Sequence, residues 1–443
     1  MYQKHYDLVH SLRRRDPDQQ RVFLLLQGPH GPFFNRLGKQ LRAAGACVWR
    51  VGFNAGDEFF WSDKARFIRH AGPVEDWPAH LERIIAERHV TDIVLYGDVR
   101  PVHAAARRAA WRHGLTLHVF EEGYLRPYWL TYERGGSNGH SPLMRISIPE
   151  MRGALKDVDD EMLRPPASWG DMRQHKFYGA LYHFMVLMAN RRFPGYRSHR
   201  SIGVMQEFRL QLRRLLLSPV HAVQRWWAER QIRRGGFPYA LVLMQLEHDS
   251  SFQAHSPFER MHEFTDLCLD EFARHAPKHH HIVFKAHPLE DGRAGNRRNI
   301  TEKAAELGIS ERVHYVRGGK LAMLLAQARS AITVNSTAAQ QALWRGLPVK
   351  ALGTAVFGKP ELVSDQDMAD FLKNPQAPNP RDYRNYRSYL LHTSQVPGGF
   401  YAARSRAHAL RHVVDLMLAD RDPYQALADG CAAHRQQLAD QPA

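Results

Sequence analysis

Cysteine and long apolar runs are both scarce in this sequence. Only three cysteines, Cys47, Cys268 and Cys431, occur in 443 residues, and they lie far apart. Their number and spacing exclude a disulfide-rich scaffold and a cysteine-ligated zinc site, so we expect reduced thiols. No run of about 18 apolar residues occurs, which argues against a membrane-spanning helix. The first 20 residues carry charges where a secretory signal needs an apolar segment, so we expect a cytoplasmic protein.

Acidic residues are outnumbered by basic ones. The chain has 61 Lys and Arg residues against 45 Asp and Glu residues, which gives a formal net charge of +16. A basic surface attracts nucleic acid, anionic lipid or an acidic substrate. Neither zinc-finger spacing nor an RNP-like aromatic motif occurs, so we do not expect a nucleic-acid partner.

The loops with candidate chemistry lack a DxD-like motif, and the acidic residues at 365–367 are interpreted as a helix start. We therefore expect no metal and no cofactor.

Short, β-branched apolar runs alternate with helical patterns in both halves of the chain, which is typical of α/β units built on a parallel sheet. We predict two Rossmann-like domains that face a cleft, with a helical segment between them. The predicted domain ranges are 1–150, 151–236, 237–400 and 401–443, the last being a C-terminal helix and tail. The predicted strands are 21–27, 46–53, 92–97, 115–120, 239–246, 281–286, 312–316, 330–335 and 347–353, and the clearest helices are 33–44, 76–89, 101–113 and 402–420.

The segment between the two predicted domains is basic and aromatic. Its helical stretches are 177–193 and 210–236, and apolar side chains there alternate with arginines. This pattern suits a helix that lies on an anionic bilayer surface. The alternative is an ordinary core-facing helix whose arginine stems cover its edges. The arginines concerned are Arg213, Arg214, Arg225, Arg230, Arg233 and Arg234.

Residues that can bind an anion follow the first predicted strand. The segment QGPHGPFF opens a helix, and Gly28 and Gly31 permit close backbone approach. Backbone amides at a helix N-terminus can bind a phosphate or a carboxylate, and His30 can donate to an acceptor. A strand-to-helix turn without a ligand is the alternative, because the full GxGxxG motif is absent.

Carboxylates follow the third and fourth predicted strands. Asp98 and Arg100 lie in YGDVRPVH, and Glu121 and Glu122 begin EEGYLRPYW. A retaining sugar transfer by double displacement needs one carboxylate to attack the anomeric carbon and another to take a proton from the acceptor hydroxyl. Asp98 can instead cap the next helix or pair with Arg100, and the acidic pair can be a solvated turn.

The second half carries a candidate phosphate site. Lys285 and His287 lie in FKAHPLEDG at a strand end, and Asn335, Ser336 and Thr337 are predicted to cap a helix after another strand. Hydroxyl groups and free amides at a helix N-terminus can bind phosphate, and lysine and histidine add positive charge. Either motif alone can be a simple turn or cap.

These motifs together resemble those of a known family. The segments QGPHGPFFNRLGKQLRAAGACVWRVGFNAGDEFFW, YGDVRPVHAAA, EEGYLRPYWLTYERGGSNGHS, FKAHPLEDG and NSTAAQQALWRGLPV are similar to capsule polysaccharide biosynthesis and export proteins of the KpsS or LipB type. The resemblance spans about residues 20–360. It implies a GT-B-like fold and a retaining transferase that moves Kdo from CMP-β-Kdo to a phosphatidylglycerol-type lipid at the inner-membrane surface, where other capsule assembly proteins are further expected partners.

The resemblance also implies roles for the candidate residues. His287, Ser336 and Thr337 would hold the CMP phosphate, with Lys285 supporting its charge. Asp98 or Glu121 would be the reacting carboxylates, although their order is open. The candidate ligands for the Kdo carboxylate are Arg100 and Arg126.

Two other functions remain as alternatives. The chain could be a non-catalytic capsule assembly or export factor that binds acidic glycan, in which case the acidic loops would be structural. It could also be a GT-B-like sugar-nucleotide epimerase, which would have no use for a lipid-facing basic helix.

Overall fold

The computed structural model describes residues 20–156, 158, 172–196 and 217–430. Of the residues named above, Arg213, Arg214 and Cys431 lie outside these ranges. The chain divides into two compact units, one formed by residues 1–145, 150–199 and 387–443 and the other by residues 146–149 and 200–386. The chain thus leaves the first unit and returns to it, whereas the division predicted from the sequence assigned 237–400 to a single domain.

Strands and helices alternate through the described residues. The strands are β1 (Val22–Leu25), β2 (Cys47–Gly52), β3 (Phe67–Arg69), β4 (Asp92–Tyr96), β5 (Thr116–Glu122), β6 (Trp129–Arg134), β7 (Tyr239–Leu243), β8 (His281–Ala286), β9 (Val313–Arg317), β10 (Ser330–Thr333), β11 (Val349–Ala351) and β12 (Gln395–Pro397). The helices are α1 (Phe33–Ala43), α2 (Ala55–Phe59), α3 (Trp77–Arg88), α4 (Pro101–His113), α5 (Ile148–Ala154), α6 (Met172–Ala189), α7 (Ser218–Gly235), α8 (Ser250–His255), α9 (Met261–His275), α10 (Asn296–Glu306), α11 (Leu321–Leu325), α12 (Ala339–Leu343), α13 (Met368–Lys373), α14 (Pro380–His392), α15 (Ala403–Leu418) and α16 (Pro423–Ala428).

The first unit is built on a seven-stranded sheet in the order β12-β6-β5-β4-β1-β2-β3. The strands from β5 to β3 are parallel, and β6 and β12 add an antiparallel edge. Successive side chains of β1 alternate between the two faces, so that Phe23 and Leu25 enter one apolar core while Leu24 and Leu26 enter another. Burial on both faces explains why β1 is an unbroken apolar run.

The second unit is built on a five-stranded parallel sheet in the order β11-β10-β7-β8-β9. In each sheet, strands are first added on one side of the strand that comes earliest in the chain and then on its other side. The reversal lies between β1 and β4 in the first unit and between β7 and β10 in the second. Ligands of open α/β sheets usually bind beyond the carboxyl ends of the strands at such a switch point.

The predicted α/β class with two Rossmann-like units is confirmed, because each unit is built on a mostly or wholly parallel sheet. The nine predicted strands and the helices of the first half are present, with shifts of a few residues at their ends. Three strands were missed, namely β3, β6 and β12. The sequence of β6 lies inside a segment that we interpreted as a loop with candidate chemistry, and the three residues of β12 are too few to show a period.

Candidate active site

The switch point of the first unit is lined by polar side chains from two strand ends. Gln27 follows β1 and Arg100 follows β4, and Arg100 Nη1 donates a 3.0 Å hydrogen bond to Gln27 Oε1. Arg100 occupies the N-cap position of α4. This bond spans the gap between β1 and β4, where the topology places a ligand. The alternative in which Arg100 pairs with Asp98 is not observed in the described residues.

Asp98 is buried, with 1% of its surface exposed. Its Oδ2 accepts from the Ser137 backbone N–H at 3.2 Å and lies 3.0 Å from His140 Nδ1. Its Oδ1 is buried and accepts no hydrogen bond from the described residues. Asp98 does not cap α4, because α4 has no side-chain cap. Oδ2 is therefore held in place, while the buried Oδ1 has no hydrogen-bond donor among the described residues and so keeps an unused acceptor.

The acidic pair lies at the end of β5 beside Asp98. Glu121 and Glu122 pair with β6 and are half-buried, so they do not form a solvated turn. A Cβ atom built on Gly97 would lie 3.2 Å from Glu121 Oε2, which places Glu121 directly against the turn that carries Asp98. Glu122 Oε1 accepts from the Tyr96 hydroxyl at 3.0 Å. Glu121 thus lies against the Asp98 turn, and Glu122 is held by Tyr96.

A further carboxyl, Glu133, was missed from the sequence. It is fully buried on β6 and accepts from the hydroxyls of Tyr124, at 2.7 Å, Ser141 and Tyr424. The Tyr124 hydroxyl also accepts from the backbone N–H of Asn138 at 2.7 Å. Glu133 therefore fixes the segment 137–141, whose other side holds Asp98. Its partner Tyr424 is 291 positions away, so local sequence gave no signal for this contact.

The ionisation of Glu133 should make folding depend on pH. Burial raises the pKa of Glu133 to about 7, although the three hydroxyl hydrogen bonds oppose the rise. A carboxyl with a raised folded pKa stabilises the fold when protonated, and this stability is lost as the pH rises from about 4.5 through about 7. We expect Glu133→Gln to remove this loss, worth at most roughly 3 kcal/mol. Urea unfolding at a series of pH values measures it, and an unchanged pH dependence in the variant would refute the assignment.

His30 and the glycines of its loop are engaged in packing. The His30 ring stacks on Tyr182 of α6 with 4.5 Å between centroids. A Cβ on Gly28 would lie 2.6 Å from Phe34, and Gly31 has a φ of 104°. The glycines are thus required by close side chains and by a left-handed turn.

Arg126 is exposed, and its Nε donates to the Gly123 carbonyl at 3.2 Å.

The switch point of the second unit is spanned by a glutamine, as in the first. Gln245 follows β7, and its amide donates to Asn335 Oδ1 at 2.7 Å and accepts from the Asn335 backbone N–H at 3.1 Å. The predicted capping role of the residues that follow Asn335 is wrong. Helix α12 has Ala338 at its N-cap position and no side-chain cap, and Ser336 Oγ accepts instead from the Ala338 N–H at 3.3 Å. Thr337 lies in the turn before this five-residue helix.

The two cationic candidates of the second unit differ in exposure. Lys285 is buried on β8, and burial lowers its pKa to about 8, opposed by the charge of Glu229 on α7. His287 is half-buried in the loop after β8, and its Nδ1 accepts from the Leu289 N–H at 3.1 Å. His287 thus lies in the loop at the carboxyl end of β8, whereas Lys285 is buried within the strand, where its Nζ donates to the Ala286 carbonyl at 3.5 Å.

Neither a metal cluster nor a membrane span is found in the described part of the chain. No three His, Cys, Asp or Glu side chains in residues 20–156, 158, 172–196 and 217–430 are arranged to hold a metal ion. Within the same ranges, no helix combines the length and apolarity that crossing a bilayer requires.

Two Rossmann-like α/β units, each with polar side chains across its switch point, are the class of structure that this chain defines. Residues 91–401 match the model of the capsule polysaccharide biosynthesis protein family, and the chain belongs to that family. This confirms the resemblance seen in the motifs.

Curated relatives share most of the chain. It is 30% identical over 385 residues to the capsule polysaccharide modification protein LipB of Neisseria meningitidis serogroup B, covering 86% of this chain and 91% of LipB. It is 31% identical over 385 residues to the capsule polysaccharide export protein KpsS of Escherichia coli, covering 86% of this chain and 97% of KpsS. Among solved structures, the beta Kdo 2,7 transferase of Thermosulfurimonas dismutans KpsC aligns with a TM-score of 0.40 at 15% identity, covering 90% of this chain and 100% of that one.

Proposed function

We propose that this protein is a retaining glycosyltransferase that moves β-Kdo from CMP-β-Kdo to a (lyso)phosphatidylglycerol acceptor and so begins the poly-Kdo linker of a Gram-negative capsule. Membership of the capsule biosynthesis family supports the pathway. The observation that carries the chemistry is Asp98, a buried carboxylate beside the Glu121 strand end, with one oxygen held by hydrogen bonds and the other without a donor among the described residues. Double displacement with retention requires a nucleophile and a second carboxyl in this kind of arrangement.

In the proposed reaction Asp98 is the nucleophile. Its Oδ1 attacks the anomeric carbon of Kdo, and CMP leaves with the electron pair of the broken bond. Glu121 then takes the proton of the acceptor hydroxyl, whose oxygen displaces Asp98 and restores the carboxylate. His140 and the Ser137 amide hold Asp98 Oδ2 throughout. Exposed Arg126 is proposed to pair with the carboxylate of the sugar.

The second unit is proposed to hold the nucleotide. His287, Asn335, Ser336 and Thr337 lie after β8 and β10, near the switch point beside β7. CMP carries one phosphate, so histidine, hydroxyl and amide donors can bind it without a metal ion. Lys285 is proposed to add positive charge from the end of β8, just before the His287 loop.

We propose peripheral attachment to the inner face of the inner membrane through α7. The helix exposes Val220, Val223, Trp226 and Trp227, with Trp227 60% exposed. Arg230 lies 5.2 Å from the Trp226 ring centre, and further arginines continue to the helix end. Aromatic side chains flanked by arginines fit an anionic bilayer surface.

Membrane binding should depend on the two tryptophans. Replacing Trp226 and Trp227 with Ser is expected to lower binding to phosphatidylglycerol-containing vesicles about 10-fold or more, because each indole removes apolar area from water. Vesicle sedimentation measures the change. Trp344→Ser is the matched control, since Trp344 is 46% exposed and lies outside α7. Equal losses in both variants would contradict a specific role of α7.

The competing functions give different products. Transfer is tested by incubating the protein with CMP-Kdo and a phosphatidylglycerol analogue and measuring CMP release with and without the analogue. Release that depends on the acceptor supports a transferase. Release of a free, epimerised sugar without acceptor would indicate an epimerase. Saturable binding of acidic glycan without turnover would indicate an assembly factor.

A further inference from the structure

The first unit contains a cavity beside the candidate active site that no step of the proposed reaction uses. Its volume is about 190 Å³. Gln27 and Arg100 form its polar wall, and His70 and Tyr196 add further polar groups. The apolar part of the lining includes Phe53, Val74 and Val102. Arg100 lies two positions after Asp98, so the cavity opens at the same end of β4 as the proposed nucleophile.

The polar wall of the cavity is fixed by a buried network. Tyr182 of α6 receives hydrogen bonds from Gln27 at 3.1 Å and Asn54 at 2.7 Å, and donates to Asp57 at 3.2 Å. Gln27 in turn receives the bond from Arg100. The guanidinium of Arg100 is thus positioned before any ligand arrives, which lowers the cost of ordering it on binding.

This network carries an excess of positive charge. Asp57 forms a 3.3 Å ion pair with buried Arg50. The charge of Arg100 also acts on the Asp57 carboxyl and favours its ionised form. Among the described residues of the network, two guanidinium groups therefore face one carboxylate. The hydrogen-bond partner of Arg100 is neutral Gln27, so its charge is not neutralised there. A positive group at the edge of an apolar cavity favours a ligand with an anionic group next to an apolar part.

Helix α6, which carries Tyr182, exposes several apolar side chains to solvent. Tyr182 and Val186 are buried, whereas Phe184, Leu187 and Met188 are 51%, 44% and 64% exposed. An outer face of this kind is typical of a helix at a lipid surface. The element that fixes the cavity wall is therefore also one suited to meet lipid.

We propose that this cavity binds the acceptor, with the phosphodiester of an anionic lipid at Arg100 and the first part of its apolar chain against Phe53, Val74 and Val102. This inference rests on the proposed function. It assigns Arg100 to the acceptor and leaves Arg126 for the carboxylate of the sugar.

The test measures binding, which does not require catalysis. The probes are dihexanoyl phosphatidylglycerol, dihexanoyl phosphatidylcholine and glycerol 3-phosphate, each titrated into the full-length protein by calorimetry. We expect phosphatidylglycerol to bind at least about 10-fold more tightly than either of the others, because only it carries both a net anionic phosphodiester and apolar chains.

Two variants locate the site. Val74→Trp adds bulk at the partly exposed edge of the cavity and should weaken phosphatidylglycerol binding about 10-fold or more. Arg100→Gln should remove the preference for phosphatidylglycerol over phosphatidylcholine. Leu267→Trp on α9 is the matched control, since Leu267 is as exposed as Val74 but lies in the second unit, and it should leave binding of the monomeric lipid unchanged. Thermal unfolding of each variant checks that the fold is intact.

The outcomes separate this inference from the proposed function. Unchanged lipid affinity in folded Val74→Trp, or no preference for phosphatidylglycerol in the wild type, would overturn the acceptor cavity. If the wild type prefers phosphatidylglycerol and both variants change lipid binding as expected, but no Kdo is transferred, the cavity would be supported and the proposed reaction overturned.

Discussion

Asp98→Asn is expected to abolish sugar transfer while the protein stays folded. The amide can replace the carboxylate in its contact with the Ser137 N–H, but it cannot attack an anomeric carbon. We expect the rate of transfer to fall at least about 10³-fold, as for other residues that act in the chemical step. The measurement is acceptor-dependent CMP release under saturating donor, with thermal unfolding as the check on folding.

A matched variant and a binding measurement make this result specific. Asp76→Asn removes the same charge from an exposed residue of the first unit and should transfer normally. CMP should bind to Asp98→Asn as tightly as to the wild type, because the proposed nucleotide ligands lie in the second unit. If folded Asp98→Asn keeps more than about a tenth of the wild-type rate, Asp98 is not the nucleophile.

Asp92→Ala is expected to give the largest loss of stability. Asp92 begins β4 and is fully buried, and it accepts from Arg21 Nε at 3.2 Å and Nη2 at 2.5 Å. His118 Nε2 lies 2.8 Å from Asp92 Oδ1, and His118 Nδ1 lies 2.8 Å from the Tyr132 hydroxyl. Removing the carboxylate takes away the anionic partner of Arg21 and one of the two hydrogen-bond partners of His118. Breaking a buried ion pair in this way costs about 3–5 kcal/mol.

The contacts of Asp92 with Arg21 and His118 also make the stability of the fold depend on pH in the acid range. Burial alone would raise the pKa of Asp92, but its hydrogen bonds with His118 and the charge of Arg21 hold it well below its usual range. Burial lowers the pKa of His118 to about 3, so His118 is neutral at neutral pH. A carboxylate with a depressed folded pKa stabilises the fold above its unfolded pKa of about 4, and this stability is lost as the pH falls further.

Urea unfolding of Asp92→Ala and Glu82→Gln measures both effects. Glu82 pairs with Arg112 and His113 at the surface, so its loss should cost less than about 1 kcal/mol. Asp92→Ala should lose about 3–5 kcal/mol at neutral pH, with a smaller difference from the wild type in acid. Similar losses in the two variants at neutral pH would show that the buried pair is not a main source of stability.

Proximity of Asp98 and Glu121 could be predicted from the sequence, because the carboxyl ends of neighbouring parallel strands meet at one edge of a sheet. The contacts that hold Asp98 Oδ2 in place could not be predicted from the sequence. His140 and Ser137 reach Asp98 only because β6 turns back antiparallel to β5, and Glu133 is fixed partly by Tyr424 near the far end of the chain. Contacts of this range leave no periodic signal in local sequence.

The two glutamines at the switch points were missed for another reason. Gln27 and Gln245 each end an apolar strand run, where a single amide gives no recognisable motif. Their importance follows from sheet order, which places β1 beside β4 and β7 beside β10. The capping error at Ser336 has a similar origin, because the start of α12 depends on a turn that residue preferences alone did not specify.

The proposed activity of this protein is the attachment of Kdo to an anionic lipid. Mass spectrometry of a reaction with purified protein, CMP-Kdo generated in place and a fluorescent phosphatidylglycerol analogue tests it most directly. We expect an acceptor heavier by Kdo with the wild-type protein and no such product with folded Asp98→Asn. An unmodified acceptor with the wild-type protein, despite intact donor and measurable lipid binding, would contradict it.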